Sequence, residues 1–186
     1  MYEKIEQLVN SDYNNRGIDK LYAAARARSE MPIIQKIAEA IRRIPAGSFV
    51  FLATGSVTRS WVTTSIGETD GPLGTAVLAK RIRELTSAIP VVFTEKDLVP
   101  SLKPVVSAAG LCVVSLEQAK IADRERARGQ TSVACVLPFA EDDAEASLQA
   151  RKLIAEMSPA MVIPIAKAGL NGAGFYHNMR GLVLSL

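Results

Sequence analysis

Two clusters in this chain carry the residue types that polar chemistry needs. The first is Glu68-Thr69-Asp70-Gly71-Pro72-Leu73-Gly74-Thr75, placed straight before a helical pattern. A helix N-terminus offers unpaired backbone N–H groups and partial positive charge. Pro72 suits the first helical position because its missing N–H is not needed there. Gly71 and Gly74 leave one face of that turn without side chains, so backbone or ligand can approach closely. The helix continues with Leu78, Ile82 and Leu85 on an apolar stripe and Lys80, Arg83 and Glu84 on the other side. Two readings of the acids stand. Asp70 caps the helix and Glu68 favours its dipole, or the two carboxylates act on a ligand, by sharing acid–base work or by holding a divalent cation through oxygen. Capping accounts for one acid, but not for an acid pair framed by glycines. A nucleotide phosphate at this turn is disfavoured, since adjacent carboxylates repel it unless a metal intervenes.

The second cluster runs from Lys167 to Gly181 and follows an apolar run. Four glycines and Asn171 give it turn character, and polar groups then crowd into Tyr176-His177-Asn178-Met179-Arg180. Arg180 presents a planar fork suited to a carboxylate or phosphate, and Asn178 can both donate and accept. His177 is the only histidine, so any mechanism needing an imidazole must use it. The competing reading is a hairpin turn whose arginine makes an ordinary surface ion pair.

The elements that must position these clusters follow from apolar patterning. Residues 1–47 read as three helices, with Ile18, Leu21, Tyr22 and Ala25 on one stripe and Ile34, Ile37, Ala38, Ile41 and Ile44 on another. Asn14-Asn15-Arg16-Gly17 separates the first two, and Pro45-Ala46-Gly47 stops the third. Short, wholly apolar runs then recur at 48–54, 89–94, 111–115, 133–138, 161–165 and 182–186, with helical stretches at 116–128 and 141–157 among those between them. Ala146, Ala150, Leu153, Ile154 and Met157 mark the buried face of the last. Apolar strands alternating with amphipathic helices predict an α/β fold: a mostly parallel sheet with helices on both faces, in three layers, preceded by N-terminal helices. Pro100 and Pro104 predict a broken helix over 96–109. Ligands in such sheets sit at strand carboxyl ends, which singles out Thr54 and Gly55 and the long hydroxyl-rich connection 56–70. Trp61 reads as a packing anchor for that connection.

Composition bounds the class. The chain has 186 residues, enough for a single α/β domain of helical segment 1–47 and sheet core 48–186, or for a fragment of a longer domain. It is 48% hydrophobic and 22% charged, as expected of a folded soluble protein. A net charge of +3 and an aromatic content of 5% argue against nucleic acid. The basic run Arg124-Glu125-Arg126-Ala127-Arg128 reads as a solvated helix face. Cys112 and Cys135 lie in apolar runs without metal-ligand spacing and read as buried thiols on neighbouring strands of an intracellular, cytoplasmic protein. No apolar run reaches spanning length, and Met1-Tyr2-Glu3-Lys4-Ile5-Glu6 is too acidic for a targeting peptide, so no membrane partner is expected. A truncated sheet would expose an edge, which favours a homo-oligomer.

Three segments, Asn15-Arg16-Gly17-Ile18, Glu68 to Gly74 and the Gly169 to Gly181 block ending Tyr176-His177-Asn178-Met179-Arg180-Gly181, together resemble the D-glutamate cyclase C-terminal-domain family. The resemblance implies a hydro-lyase that interconverts D-glutamate with 5-oxo-D-proline plus water. For that reaction, side-chain chemistry assigns Arg180 with Asn178 to the free carboxylate and Asp70 or Glu68 to the ammonium. Backbone N–H groups from Gly71 to Gly74 would face the developing oxyanion, and Thr54 and Gly55 at the strand end, with Tyr176, would complete the substrate site. The substrate is then a small amino acid or dicarboxylate. The chain departs from the family pattern at Ala166-Lys167, where a Glu-Arg pair is usual, and at Leu170 and Ala173, where Arg and an acid are usual. It also stops at Leu186, before a further glycine-rich acidic block. These departures define a rival reading: a non-catalytic α/β module binding a small anionic metabolite, or one part of a split enzyme.

Overall fold

The computed structural model describes residues 1–129 and 131–177. Residues 1–43 form one compact unit and 44–177 another.

The first unit comprises α1 (Tyr2–Val9), α2 (Ile18–Arg26) and α3 (Ile33–Arg42). Asp12 shapes the α1–α2 link by accepting the backbone N–H groups of Arg16, Gly17 and Ile18 at 2.9, 2.7 and 3.2 Å, with Gly17 at φ +82°, where a side chain would be strained. Glu6 on α1 is only 1% exposed. It accepts the Tyr22 hydroxyl at 2.7 Å and the Ile34 N–H at 2.6 Å, while Arg26 lies 3.9 Å away. Since α3 follows Pro32 without a side-chain cap of its own, a carboxylate from α1 serves as that cap. One acid thus ties all three helices together, which no apolar stripe announces.

Among the described residues, the second unit is built on a five-stranded sheet of order β3-β4-β2-β1-β5, with β1 (Phe49–Ala53), β2 (Ile89–Glu95), β3 (Cys112–Val113), β4 (Val133–Phe139) and β5 (Met161–Pro164). Every pairing is parallel, as wholly apolar strands demand. Helices α4 (Asp70–Thr86), α5 (Val99–Ala108), α6 (Leu116–Arg124) and α7 (Asp143–Met157) cover it. Phe51, Val91, Phe93 and Cys135 point to one face, against Ala119 of α6 and Met157 of α7. The alternate residues Val50, Leu52, Val92 and Val136 are buried on the other face, which α4 and α5 cover. The α/β three-layer reading is therefore correct. Local caps agree with it: Ser115 and Gln118 form a reciprocal capping box on α6, and Asp142 accepts two N–H groups at the start of α7. The run 182–186 lies outside the described residues.

Several expectations are corrected. A 3-10 turn (Lys96–Leu98) leads into α5, which continues through Pro104; the proline removes one N–H, and the well-buried Leu102 and Val106 hold the helix to the sheet. On α4 the expected stripe is rotated, since Leu85 is 73% exposed whereas Arg83 is 0% exposed. Arg83 donates to the carbonyls of Ser87, Ala88 and Thr131, with Asp123 at 3.7 Å. Burial pulls its pKa below the ordinary value, opposed by the Asp123 carboxylate. Ile154 also turns outward from α7. Cys112 is exposed because β3 is a two-residue edge strand, whereas Cys135 is buried and its thiol is pushed up to about 11. Trp61 is 83% exposed and anchors nothing in the core.

Two measurements check these packing arguments. Arg83→Met should cost about 2–4 kcal/mol in urea unfolding, because three carbonyls lose buried charged donors. Glu6 carries a pH signature. Burial alone would raise its pKa, but the hydrogen bonds from Tyr22 and Ile34 and the charge of Arg26 together lower it. Its contribution is therefore present above the unfolded carboxyl value and is lost as pH falls through the lower folded value. Thermal melting between pH 7 and pH 3 should show a steeper loss for wild type than for Glu6→Gln.

Candidate functional site

The site grows from the carboxyl ends of β1, β2 and β5. Neighbouring strands β2 and β4 send their chains to opposite faces, through α5 and α7, so the carboxyl edge of the sheet contains a topological switch point, the kind of place where parallel sheets take ligands. Thr54 and Gly55 follow β1, Thr94 and Glu95 end β2, and Ile165 to Lys167 follow β5. The Thr54 N–H donates to Phe93 O at 3.0 Å and the Ile165 N–H to Ala53 O at 2.8 Å, so the ladder continues one residue past each strand.

Two missing side chains assemble the cluster. A Cβ on Gly71 would lie 2.8 Å from Thr54 Oγ1 and 2.9 Å from Ala166 Cβ, so only glycine lets the first turn of α4 sit on the strand ends. Gly55 has φ +109°, and a Cβ there would lie 2.2 Å from Glu95 Oε2 and 2.4 Å from Thr94 Oγ1. Across that gap Glu95 reaches Lys167, while Thr94 Oγ1 donates to its other oxygen at 3.1 Å. The side chains of Glu95 and Lys167 are 12% and 28% exposed, so the pair is half-open to solvent. Thr54 Oγ1 and Thr75 Oγ1 are buried with no hydrogen-bond partner among the described residues, a condition that marks a place for water or a ligand.

The acids sit on the rim. Asp70 and Glu68 are exposed. Asp70 Oδ1 accepts the Gly71 N–H at 3.0 Å, and the Glu68 N–H donates to Ser56 O at 3.0 Å. The helix begins at Asp70, so Pro72 is its third residue rather than its first, still within the turn whose N–H groups lack helical partners. Gly74 has only Ile165 Cγ2 nearby, at 4.0 Å. The 56–69 connection is a tethered excursion: Val57 and Gly67 form an antiparallel bridge, the Thr58 N–H donates to Ile66 O at 2.7 Å, and Thr64 hydrogen-bonds Asp97.

The second cluster is a tight turn in its described part. Leu170 and Tyr176 form an antiparallel bridge, and Asn171 Oδ1 accepts the N–H groups of Ala173 and Phe175 while its amide meets His177 Nδ1 at 3.2 Å. Among the described residues, no hydrogen bond links Tyr176 or His177 to the strand-end cluster. Asn178 and Arg180 lie outside the described residues. The structure therefore unites Thr54, Gly55 and Gly71 directly, with Glu68 and Asp70 beside them. Sequence reasoning missed Thr94, Glu95 and Thr75. The signal for the first two was available, since Thr94-Glu95 is the polar end of an apolar run. Among the described residues, no group of three or more His, Cys, Asp or Glu is arranged to hold a metal.

A shallow groove of about 490 Å³ lies at the opposite, amino edge, lined by Phe49, Ile89, Lys120 and Asp123 among others. It contains none of the cluster's residues, and the fold gives precedence to the carboxyl edge.

These features define a three-layer parallel α/β protein with a polar cluster at the carboxyl edge of its sheet. The family model described as D-glutamate cyclase-like, C-terminal, matches residues 5–185, and the chain belongs to that family. Comparison with curated proteins and with solved structures finds no match. Among the described residues, no helix is long and apolar enough to cross a membrane.

The glycine argument is testable against helix propensity. On propensity alone Gly71→Ala should stabilise α4 by roughly 1 kcal/mol. Crowding against Thr54 and Ala166 should instead give a net loss of about 1–3 kcal/mol, read as a lower urea midpoint.

Proposed function

We propose that this chain is a hydro-lyase that interconverts D-glutamate with 5-oxo-D-proline and water at the carboxyl edge of its sheet. The observation that carries the reading is family membership across residues 5–185, supported by the polar cluster at the edge where parallel sheets take ligands. In ring closure, Asp70 with Glu68 takes protons from the substrate ammonium, freeing the nitrogen to attack the side-chain carboxyl carbon. Asp70, the first residue of α4, and Glu68, just ahead of the helix, are both exposed and so open to a ligand. Arg180, with Asn178, holds the α-carboxylate through a bidentate fork. Thr54, Gly55, Gly71, Gly74 and Tyr176 shape the wall. The ligand is a small amino acid, and neither nucleic acid nor membrane takes part. Two cysteines without a disulfide suit a reducing, cytoplasmic setting, and the short strand β3 at a sheet edge suits self-association.

The test is turnover in both directions by the purified chain. Asp70→Asn should lower kcat by about 100-fold or more, and Arg180→Ala should raise KM by about 10-fold or more. Wild-type rates in both variants would overturn the assignment. Ligand affinity without any turnover would favour a binding module instead.

A further inference from the structure

We propose that Lys167, held by Glu95, is the cation that stabilises the reacting side-chain carboxylate as charge develops on it; this rests on the ring-closing reading above. Most of the N–H groups expected to face the oxyanion at the helix end are absent or already engaged. Of the N–H groups from Gly71 to Leu73, that of Gly71 donates to Asp70, Pro72 has none, and that of Leu73 lies 3.4 Å from Thr69 O. The developing oxyanion therefore needs another donor.

Lys167 has the attributes required. It lies past β5 and reaches over the end of β1 to Glu95 on β2. The gap at Gly55 lets Glu95 occupy the space where a Cβ would stand. Thr94 fixes the second oxygen of Glu95, so the carboxylate is a held acceptor and Lys167 a positioned donor. An ammonium has three N–H donors, and Glu95 Oε1 takes one. With 28% of the Lys167 side chain exposed, a small anion can reach it. At the end of β1, between the strands that carry this pair, the buried Thr54 hydroxyl has no partner among the described residues. It points at the first turn of α4, 2.8 Å from where a Gly71 Cβ would stand. The cluster thus holds an unused donor as well as a half-open cation.

The step balances with the groups named. The substrate nitrogen, after giving a proton to Asp70 or Glu68, forms the C–N bond, and an electron pair moves from the carboxyl C=O onto oxygen. Lys167 Nζ–H donates to that oxygen and stays protonated throughout. On collapse one C–O bond breaks, and the two protons shed by nitrogen leave on oxygen as water through the same acids. Glu95 acts as a positioning residue, since it reaches the reacting atoms only through Lys167.

The experiment uses the full chain as wild type, Lys167→Met, Lys167→Arg, Glu95→Gln, and the reversed pair Glu95→Lys with Lys167→Glu, each checked by thermal melting. Lys167→Met should lower kcat by about 100-fold and raise KM for D-glutamate by about tenfold. Lys167→Arg should recover part of the rate, and Glu95→Gln should lose less than Lys167→Met. The reversed pair keeps an ion pair and should melt near wild type while staying inactive. A purely structural bridge would instead regain activity with stability, which overturns the proposal, as does Lys167→Met turning over within about twofold of wild type. Should the wild type turn over neither compound, the ring-closing reading fails, and calorimetry with D-glutamate and 5-oxo-D-proline decides the rest. Binding about tenfold weaker in Lys167→Met keeps Lys167 as the anion-holding group. Equal affinity, or no binding by wild type, overturns it.

Discussion

The close seating of α4 on the ends of β1 and β5 is the constraint from which the rest of the sheet unit follows. A helix normally keeps its backbone away from a strand end by the width of its side chains. Here Gly71 brings backbone against Thr54 and Ala166, and a single added carbon would force them apart. That approach carries Asp70 to the rim and buries the hydroxyls of Thr54 and Thr75. At its other end α4 is fastened by Arg83, whose guanidinium collects the carbonyls that close the helix and one, Thr131, just ahead of β4. Each end therefore uses a residue type that an amphipathic helix would not place there.

The polar groups gather at this edge because of strand order. With β1 flanked by β2 and β5, residues distant in sequence, Thr54, Glu95 and Lys167, end up side by side. Parallel strands all deliver their carboxyl ends to one edge, so a short polar tail on each is enough to build a cluster. The resulting set holds an anchored carboxylate, an ammonium, buried hydroxyls and rim acids. That combination suits a small molecule bearing charges of both signs.

Much of the architecture was legible beforehand, and the failures have physical causes. The strands 89–95 and 133–139 stood out because burial on both faces demands unbroken apolar runs. Leu85 and Ile154 misled because helical periodicity marks a stripe but not how many of its members lie beyond the sheet. Arg83 misled because burial of a charge depends on carbonyls brought from elsewhere in the chain. Trp61 and Cys112 misled because composition says nothing about a loop tip or a short edge strand. In the candidate site, Asp70, Glu68, Gly55 and Gly71 were readable from turn chemistry and strand ends, whereas Glu95 awaited its partner across β1.

By itself the sequence determined the family, the parallel α/β class and the acidic glycine turn, since these rest on local motifs and on periodicity set by neighbouring residues. Only the tertiary structure decided that Glu6 joins three helices, that Arg83 is enclosed, and that Glu95 meets Lys167 over Gly55. Those pairings join residues far apart along the chain, and their partners exist only once strand order and helix seating have closed the distance between them.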